Sequence, residues 1–535
     1  MNTSSPSRTR DVFDVVVVGA GINGLVAAAE LAIGGWSVAL VDANDRLGGF
    51  IATDELTEPG YLHDTYSSFH TGFISGAAFG ALGDALHRHG LEYLNTDRWV
   101  TGSVSERGVA LVHRDPMRTV ENFEVPSDRN AYLGMLGEFG SYAPQIFAVM
   151  GADLTPTRLA RVGVGALRRH KVAGTMQLLR SVVQSGRGYI RERFAGWEVD
   201  ALWIPWLSHA GLLTPDSASG ALMLPLLAAS MHHFGVPLVR GGQGRFLDAF
   251  EGLFVELGVV TALGEAVTGI DVEGGRAVGV RLGDRRIRAR RAVVATMLPR
   301  QLYTQMLPAG AVSARVIDQA RRYRPGKGTM QVHVALDGPV PWTDSRLGEV
   351  PVLHVSNGAD STGIACSQAL AGLLPAEPTI VVAQPHILDP SRVPKGKALL
   401  WLQLHEVPSA PRGDSAGELD TSAGWDKALQ EDYADRALRR IETFAPGLRG
   451  LVRGISTISP PGLEAANRNA ISGDGYAGSG ELDQALFWRP IADAPHHRTP
   501  VKGLWQIGAS THPGVGLGGT SGHLAAQQLL ARHRK

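Results

Sequence analysis

Gly19-Ala20-Gly21-Ile22-Asn23-Gly24, followed by Asp42, is the set of residues whose types and spacing imply chemistry most directly. Gly19 permits a tight turn, Gly21 lets the backbone approach a pyrophosphate, and Gly24 lets a helix pack close to the preceding strand. A helix opening here offers free N–H groups and a partial positive charge to phosphates. Asp42 stands where a carboxylate accepts hydrogen bonds from ribose hydroxyls, and an acid there disfavours a 2′-phosphate. The glycine spacing alone is weak evidence, because Gly514, Gly516 and Gly519 repeat it with no acidic strand end behind them. Other chemistries find no motif. The eighteen histidines form no HxxxH with an acid, there is no Gly-x-Ser-x-Gly elbow, and the lone Cys366 reads as a small core residue. The expectation is therefore no metal, with the reaction carried by a bound cofactor.

The elements needed to position these residues can be read around them. Val15–Val18 is a wholly apolar, β-branched run, the pattern of a strand buried on both faces of a parallel sheet. Leu25–Leu31 is alanine-rich and helical, and Ser37–Val41 is a second strand ending at Asp42. This strand–turn–helix–strand unit of about thirty residues has the size of a dinucleotide-binding unit. Glycines at 241, 242 and 244 open a helix over Arg245–Leu257. Ala266–Val272, Ala277–Leu282 and Ile287–Thr296 then read as an antiparallel meander. Near the end, Leu504–Ile507 is a strand, and a glycine-rich loop leads into a final helix. Thr520 or Ser521 can cap that helix, and Ala525, Ala526, Leu529 and Leu530 form its buried stripe. Helices are expected at Gly134–Met150, in pieces over Arg158–Arg193, and at Ala218–His232; Trp197, Trp203 and Trp206 suit a core or an apolar tunnel.

Composition bounds the rest. At 535 residues the chain exceeds one compact core, and 51 basic residues balance 51 acidic ones, so no global field selects nucleic acid. Met1–Arg10 is polar without an apolar stretch, which predicts a disordered tail rather than a leader, and no run is long enough to span a bilayer. Arg285, Arg286, Arg288, Arg290 and Arg291 lack interleaved aromatics and read as a solvated hairpin face. Between Arg158 and Arg193, Arg161, Arg168, Arg169, Lys171, Arg180, Arg187 and Arg191 face only Glu192, so this stretch reads either as a solvated face or as a basic amphipathic surface for peripheral membrane contact.

After Asp42 and Ala43, the stretch Asn44-Asp45-Arg46-Leu47-Gly48-Gly49 resembles the acid-x(5)-Gly-Gly extension of large flavoprotein oxidoreductases. There the double glycine passes beside the pyrophosphate; Phe50 stands where that group usually has arginine. Nearly the whole chain, with a looser match over Ser75–Ser230, resembles the phytoene desaturase superfamily of FAD-dependent oxidoreductases. It is nearer to the flavin-type carotenoid ketolases and the pyridine nucleotide-disulphide oxidoreductase domain-containing protein 2 group. The resemblance rests on the fingerprint, the Pro237–Gly244 segment with its meander, the Gly508–Gly514 loop with its glycine tail, and Gly473-Asp474 followed by Leu482-Asp483-Gln484 and Arg489-Pro490. It implies an α/β fold: a Rossmann-like FAD-binding domain (parallel sheet plus antiparallel meander) from residues 12–74, 231–300 and 500–535, after a tail at 1–11. A discontinuous, largely helical substrate cap would come from 75–230 and 301–499.

The resemblance also implies roles. Val267 would hold the adenine through its backbone amide. Gly508, Ala509, Gly514, Gly518, Gly519 and Thr520 would face the flavin's pyrimidine edge. His512 is placed beside the flavin, and His70 with Tyr66 lies where the family's chain passes it after Gly60-Tyr61; these are the candidates for proton handling. The reaction expected is hydride transfer from an apolar, terpenoid, carotenoid-like or alicyclic substrate to flavin N5, forming C=C. Ketolase-like oxidation, flavin-dependent isomerisation and a non-catalytic binding protein are the alternatives. The acceptor is oxygen, a quinone or a carrier protein, the location cytoplasmic or peripheral to a membrane, and the sequence leaves the oligomeric state open.

Overall fold

The computed structural model describes residues 11–514, 516 and 518–533; the expected tail at Met1–Arg10 lies outside them. Strand β1 (Val12–Val18), helix α1 (Ile22–Ile33) and strand β2 (Val38–Val41) come first. The chain then leaves to lay down the hairpin β3 (Trp99–Ser105) and β4 (Gly108–His113), followed by helices α2 (Pro126–Met150), α3 (Pro156–Val183), α4 (Gly186–Arg193), α5 (Glu198–His209) and α6 (Gly220–Phe234). It returns with α7 (Gly244–Leu257), β5 (Val260–Ala262), β6 (Gly269–Glu273), β7 (Arg276–Leu282) and β8 (Arg285–Ala295). A second excursion adds β9 (Gly328–Leu336), β10 (Val352–Val355), β11 (Ile380–Ala383), β12 (Ala398–Val407), α8 (Lys427–Glu442) and β13 (Val452–Ile458). Strand β14 (Leu504–Gln506) and helix α9 (Thr520–His533) complete the first body.

The first sheet runs β6-β7-β8-β1-β2-β5, with β14 beside β8. The pairs β8–β1, β1–β2, β2–β5 and β8–β14 are parallel; the meander β6–β7–β8 is antiparallel. Alternation along β1 buries Val15 and Val17 against α1, α7 and α9, and Val16 and Val18 against the meander side. The meander's arginines meet acids: Arg285 pairs with Asp11 and Glu265, Arg288 with Glu273, and Arg290 with Asp14. Helix α9 lies on α1, where Gly522 N–H donates to Asn23 Oδ1 at 3.1 Å and Glu30 accepts from His523 and Gln527. Its Ala525, Ala526, Leu529 and Leu530 are buried.

The second sheet runs β13-β9-β12-β11-β10-β3-β4, an element the sequence reading did not resolve. On β9, Met330, Val332 and Val334 pack toward α8, as do Leu400, Leu402 and Leu404 of β12. The period of two sends Gln331, Trp401 and Gln403 to the opposite face. Helices α5 and α6 cover part of that face; Trp203 is buried completely and Trp206 nearly so, which makes them core rather than tunnel. Helix α3 is two pieces joined at Lys171, whose backbone is left-handed at φ 59°. No described helix is long and apolar enough to cross a membrane.

The two bodies are bolted together by a buried ion network. Arg392, with no exposed surface, bonds Asp64, Asp389 and the Val239 carbonyl. Asp64 also accepts from Gln243 N–H at 2.9 Å and the Thr53 hydroxyl at 2.8 Å. This joins the second excursion to the glycine segment that opens α7.

Candidate functional site

A cavity of about 500 Å³ lies between the sheets, within the range usual for small-molecule sites. At its centre is the turn into α1. Gly19 has φ 99°, and a Cβ there would sit 1.8 Å from Thr296 Oγ1. A Cβ on Gly24 would sit 1.8 Å from the Gly19 carbonyl oxygen, so this glycine is required by helix–strand packing. Gly21 differs: its Cβ would meet nothing within 4 Å, and it lines the cavity with Gly19, Ile22 and Asn23. No side chain caps α1, whose first-turn amides therefore lack partners from the helix itself. The Gly48-Gly49 pair crosses this turn. Both glycines have positive φ, Gly48 N–H donates to the Ala20 carbonyl at 2.9 Å, and a Cβ on Gly49 would lie 3.2 Å from Gly21 Cα.

Toward one end the cavity is bordered by Asp42, Ala43, Glu265 and Val267. Asp42 accepts from Ala20 N–H at 2.6 Å and Asn44 N–H at 2.8 Å, which fixes its carboxylate at the end of β2. The Val267 amide donates to no acceptor among the described residues. Phe50 lines the wall and packs against Tyr66 at 4.8 Å between ring centroids. The Ser67 hydroxyl, buried at the same wall, also has no partner among the described residues. An uncapped helix end, an open Cβ position, a free amide and an orphaned hydroxyl are the kind of groups that an FAD would engage.

At the other end Gly508, Ala509, Gln331, Gln403, Trp401, His209 and Tyr476 form a chamber. Tyr476 donates to the His209 carbonyl at 2.7 Å and meets His405 Nδ1 at 3.1 Å. Burial pushes His209 down to about 4 and holds His405, beside His209 and Lys327, well below the usual imidazole range, so both rings are neutral at pH 7. Asp474 spends its oxygens on the amides of Gly326, Tyr476 and Gly478. Burial still lifts its carboxyl above the usual range.

Several expected site residues stand elsewhere. His70 is fully buried among Phe73 and Phe246, with Nδ1 at the Tyr93 hydroxyl 2.8 Å away, and does not border the cavity. His512 holds the Val149 carbonyl at 2.9 Å and is likewise behind the wall; burial lowers it to about 4. Tyr66 is at the wall. Ala20 is sealed under the turn, where its peptide holds Asp42 and Gly48. Gly514, Gly518, Gly519 and Thr520 do not line the cavity; a Cβ on Gly519 would lie 2.7 Å from Val26 Cγ2, and one on Gly518 3.2 Å from the Gly72 carbonyl, so close packing explains these two glycines. Ser521 does not cap its helix; its hydroxyl accepts from Gly508 N–H at 3.0 Å and contacts Thr511 and His497. Sequence reasoning missed His209, His405 and Tyr476, which come from α5, β12 and a loop. The one available signal was Tyr476, two residues past the Gly473-Asp474 pair.

A family model described as flavin containing amine oxidoreductase matches residues 22–530. The pyridine nucleotide-disulfide oxidoreductase domain-containing protein 2 of Rattus norvegicus is 25% identical over alignments covering 96% of this chain and 92% of its own. A lycopene-forming phytoene desaturase of Paracoccus sp. is 24% identical, covering 98% of both chains. Among solved structures, putrescine oxidase with bound putrescine superposes with a TM-score of 0.61 at 18% identity, covering 97% of this chain and 99% of that one. This last likeness concerns the fold.

Proposed function

Since the chain belongs to the family of flavin containing amine oxidoreductases and is an FAD-dependent oxidoreductase, we propose that it removes a hydride from an apolar, neutral substrate of terpenoid, carotenoid-like or alicyclic type and leaves a C=C bond. The observation that carries this reading is the chamber's wall: an indole, a phenol, two carboxamides and a neutral imidazole. Among the described residues the carboxylates bordering the cavity are Asp42 and Glu265 at the nucleotide end and Asp474, which is tied by three amides. A cationic amine therefore finds no free anionic anchor, while an uncharged skeleton finds Trp401 and Tyr476. The naming of relatives as a phytoene desaturase and a 4,4'-diapolycopene oxygenase supports the same substrate class.

Bound FAD would supply the hydride acceptor at N5, with oxygen, a quinone or a carrier protein as the final electron acceptor. Gly19, Gly21, Ile22, Asn23, Gly48 and Gly49 would hold its diphosphate, Asp42 its ribose and Val267 its adenine, with the ring end toward Ala509. Trp401, Gln331 and Gln403 orient the substrate and exclude water. The Tyr476 hydroxyl passes the proton lost from the neighbouring carbon on to solvent water, while His405, kept neutral by burial beside His209 and Lys327, only orients the phenol. Anaerobic mixing with candidate substrates tests this. Bleaching of the bound flavin by neutral polyenes or cyclic terpenoids is expected; bleaching by primary amines and not by these would overturn the reading.

We also propose that α3 is the surface through which such a substrate is drawn from a membrane. Val164, Leu167, Val172, Met176, Leu179 and Val183 are large apolar residues with 46–68% exposure. Around them Arg161, Arg168, Arg169 and Lys171 have no carboxylate within 4 Å among the described residues, whereas Arg180, Arg187 and Arg191 are paired. Exposed apolar side chains edged by unpaired cations suit an anionic bilayer surface. Co-sedimentation with anionic vesicles at low salt is expected, and its absence would remove this role.

A further inference from the structure

Arg489 belongs to the Arg489-Pro490 motif, which the reaction above does not use. It is 3% exposed, and a guanidinium this deep is ordinarily matched by a carboxylate. None lies within 4 Å of it among the described residues. Instead Nε and Nη2 donate to the Ala509 carbonyl at 3.1 and 2.7 Å, and Nη1 donates to the Ser479 carbonyl at 3.1 Å. Asp474 is near enough to feel the charge but gives its oxygens to backbone amides. The other titratable groups that feel it are Tyr323 and His512, neither of them an anion at neutral pH. Carbonyl dipoles solvate the cation without neutralising it.

Ala509 lines the cavity, and Ser479 lies two residues past the lining stretch 474–477 that carries Tyr476. The N–H groups of Ala509 and Ser510 have no acceptor among the described residues, and a cation on the Ala509 carbonyl polarises the peptide that carries the Ser510 N–H. A positive charge thus stands one peptide behind the chamber, with no carboxylate in direct contact with it among the described residues.

We propose that Arg489 is a positioning residue whose charge is matched by reduced FAD: it would oppose the one negative charge gained when two electrons and one proton enter the cofactor, and so favour reduction. The inference rests on the reading above that the flavin ring lies against Ala509. Electrons and charge balance, because a hydride leaves the substrate carbon, the ring end of the cavity gains one net negative charge, and the guanidinium stays protonated throughout.

The test uses the FAD-loaded full chain with Arg489→Gln and Arg489→Lys. The readouts are the sulfite dissociation constant and the two-electron midpoint potential measured against a reference dye. Arg489→Gln should disfavour both equilibria about tenfold, which for a two-electron couple is about 30 mV. Arg489→Lys, which keeps the charge but loses the three-way geometry, should stay close to the parent. An FAD-loaded Arg489→Gln protein that matches the parent in both readouts overturns the proposal. Should the variants fail to fold, the parent decides: between pH 6 and 8 its potential should move about 30 mV per unit, one proton per two electrons. Twice that slope overturns the proposal, since no negative charge would then remain to be opposed. A parent chain that takes up no FAD would instead refute the cofactor reading, and Arg489 with it.

Discussion

Alanine at Gly21 adds one methyl group where the chain itself leaves room and the cofactor does not. Gly21 has φ −70° and ψ 173°, open to any L-residue, and its Cβ would meet no protein atom within 4 Å. The unfolded chain loses freedom, so the apo-protein should be unchanged or about 0.4–1 kcal/mol more stable. The methyl nevertheless projects into the cavity at the uncapped end of α1. Holding the diphosphate away would weaken two amide bonds to a charged group, each worth about 1.5 kcal/mol at the low end. The sum of about 3 kcal/mol corresponds to roughly a hundredfold loss of FAD affinity. Gly24→Ala is the contrast, because its Cβ would fall 1.8 Å from the Gly19 carbonyl oxygen. Overpacking there should cost the apo fold about 1–3 kcal/mol. Urea denaturation of the apo-proteins and fluorescence titration with FAD separate the two effects. A Gly21→Ala protein that binds FAD as the parent does, or whose apo form is clearly destabilised, refutes the assignment of this turn to the diphosphate.

Three further outcomes are expected. Arg392→Leu, which strands Asp64 and Asp389 without their buried cation, should cost about 3–5 kcal/mol in urea denaturation; an unchanged midpoint would show that the two bodies do not depend on this network. Tyr476→Phe removes the hydroxyl that joins His405 to the chamber and should slow flavin reduction by about a hundredfold or more in stopped flow, with FAD binding preserved; equal rates would take Tyr476 out of proton transfer. Asp153 is pushed upward by burial, yet bonds from His497 and Gln528 outweigh this and lower it from 3.8 to about 2. Its folded-state value is depressed, so its contribution is present above pH 3.8 and lost as pH falls toward 2, a difference of about 2 kcal/mol. Unfolding at pH 5 and pH 2 should show that loss in the parent and not in Asp153→Asn.

The nucleotide half of the site was legible because its information is local. A β-branched run, three glycines and an acid at fixed spacing require each other within thirty residues, and the structure explains each glycine separately: Gly19 by Thr296, Gly24 by the Gly19 carbonyl, Gly21 by the cavity. The second sheet was harder to read. Its strands come from three distant stretches, and β9 and β12 are buried on both faces, so alternation is masked by hydrophobicity. The chamber was least legible. His209, His405 and Tyr476 meet only because α5, β12 and the loop after Gly473 converge, and no spacing along the chain encodes that. His70 and His512 attracted attention as histidines near the expected flavin path, but burial turned them inward, toward Tyr93 and Val149.

The embrace of α1 by α9 also sets a timetable. Gly522 reaches Asn23, Glu30 waits for His523 and Gln527, and β14 fills the vacant edge of β8. About 500 residues separate the α1 and α9 partners along the chain. At the usual pace of about 5–20 residues per second, a ribosome needs roughly 25–100 s to travel between them. During that interval the fingerprint strand and helix exist with an apolar flank uncovered and the Ala509 wall not yet made. The cavity is therefore complete only once the last helix and the Ala509 wall have been made, which puts FAD capture after synthesis.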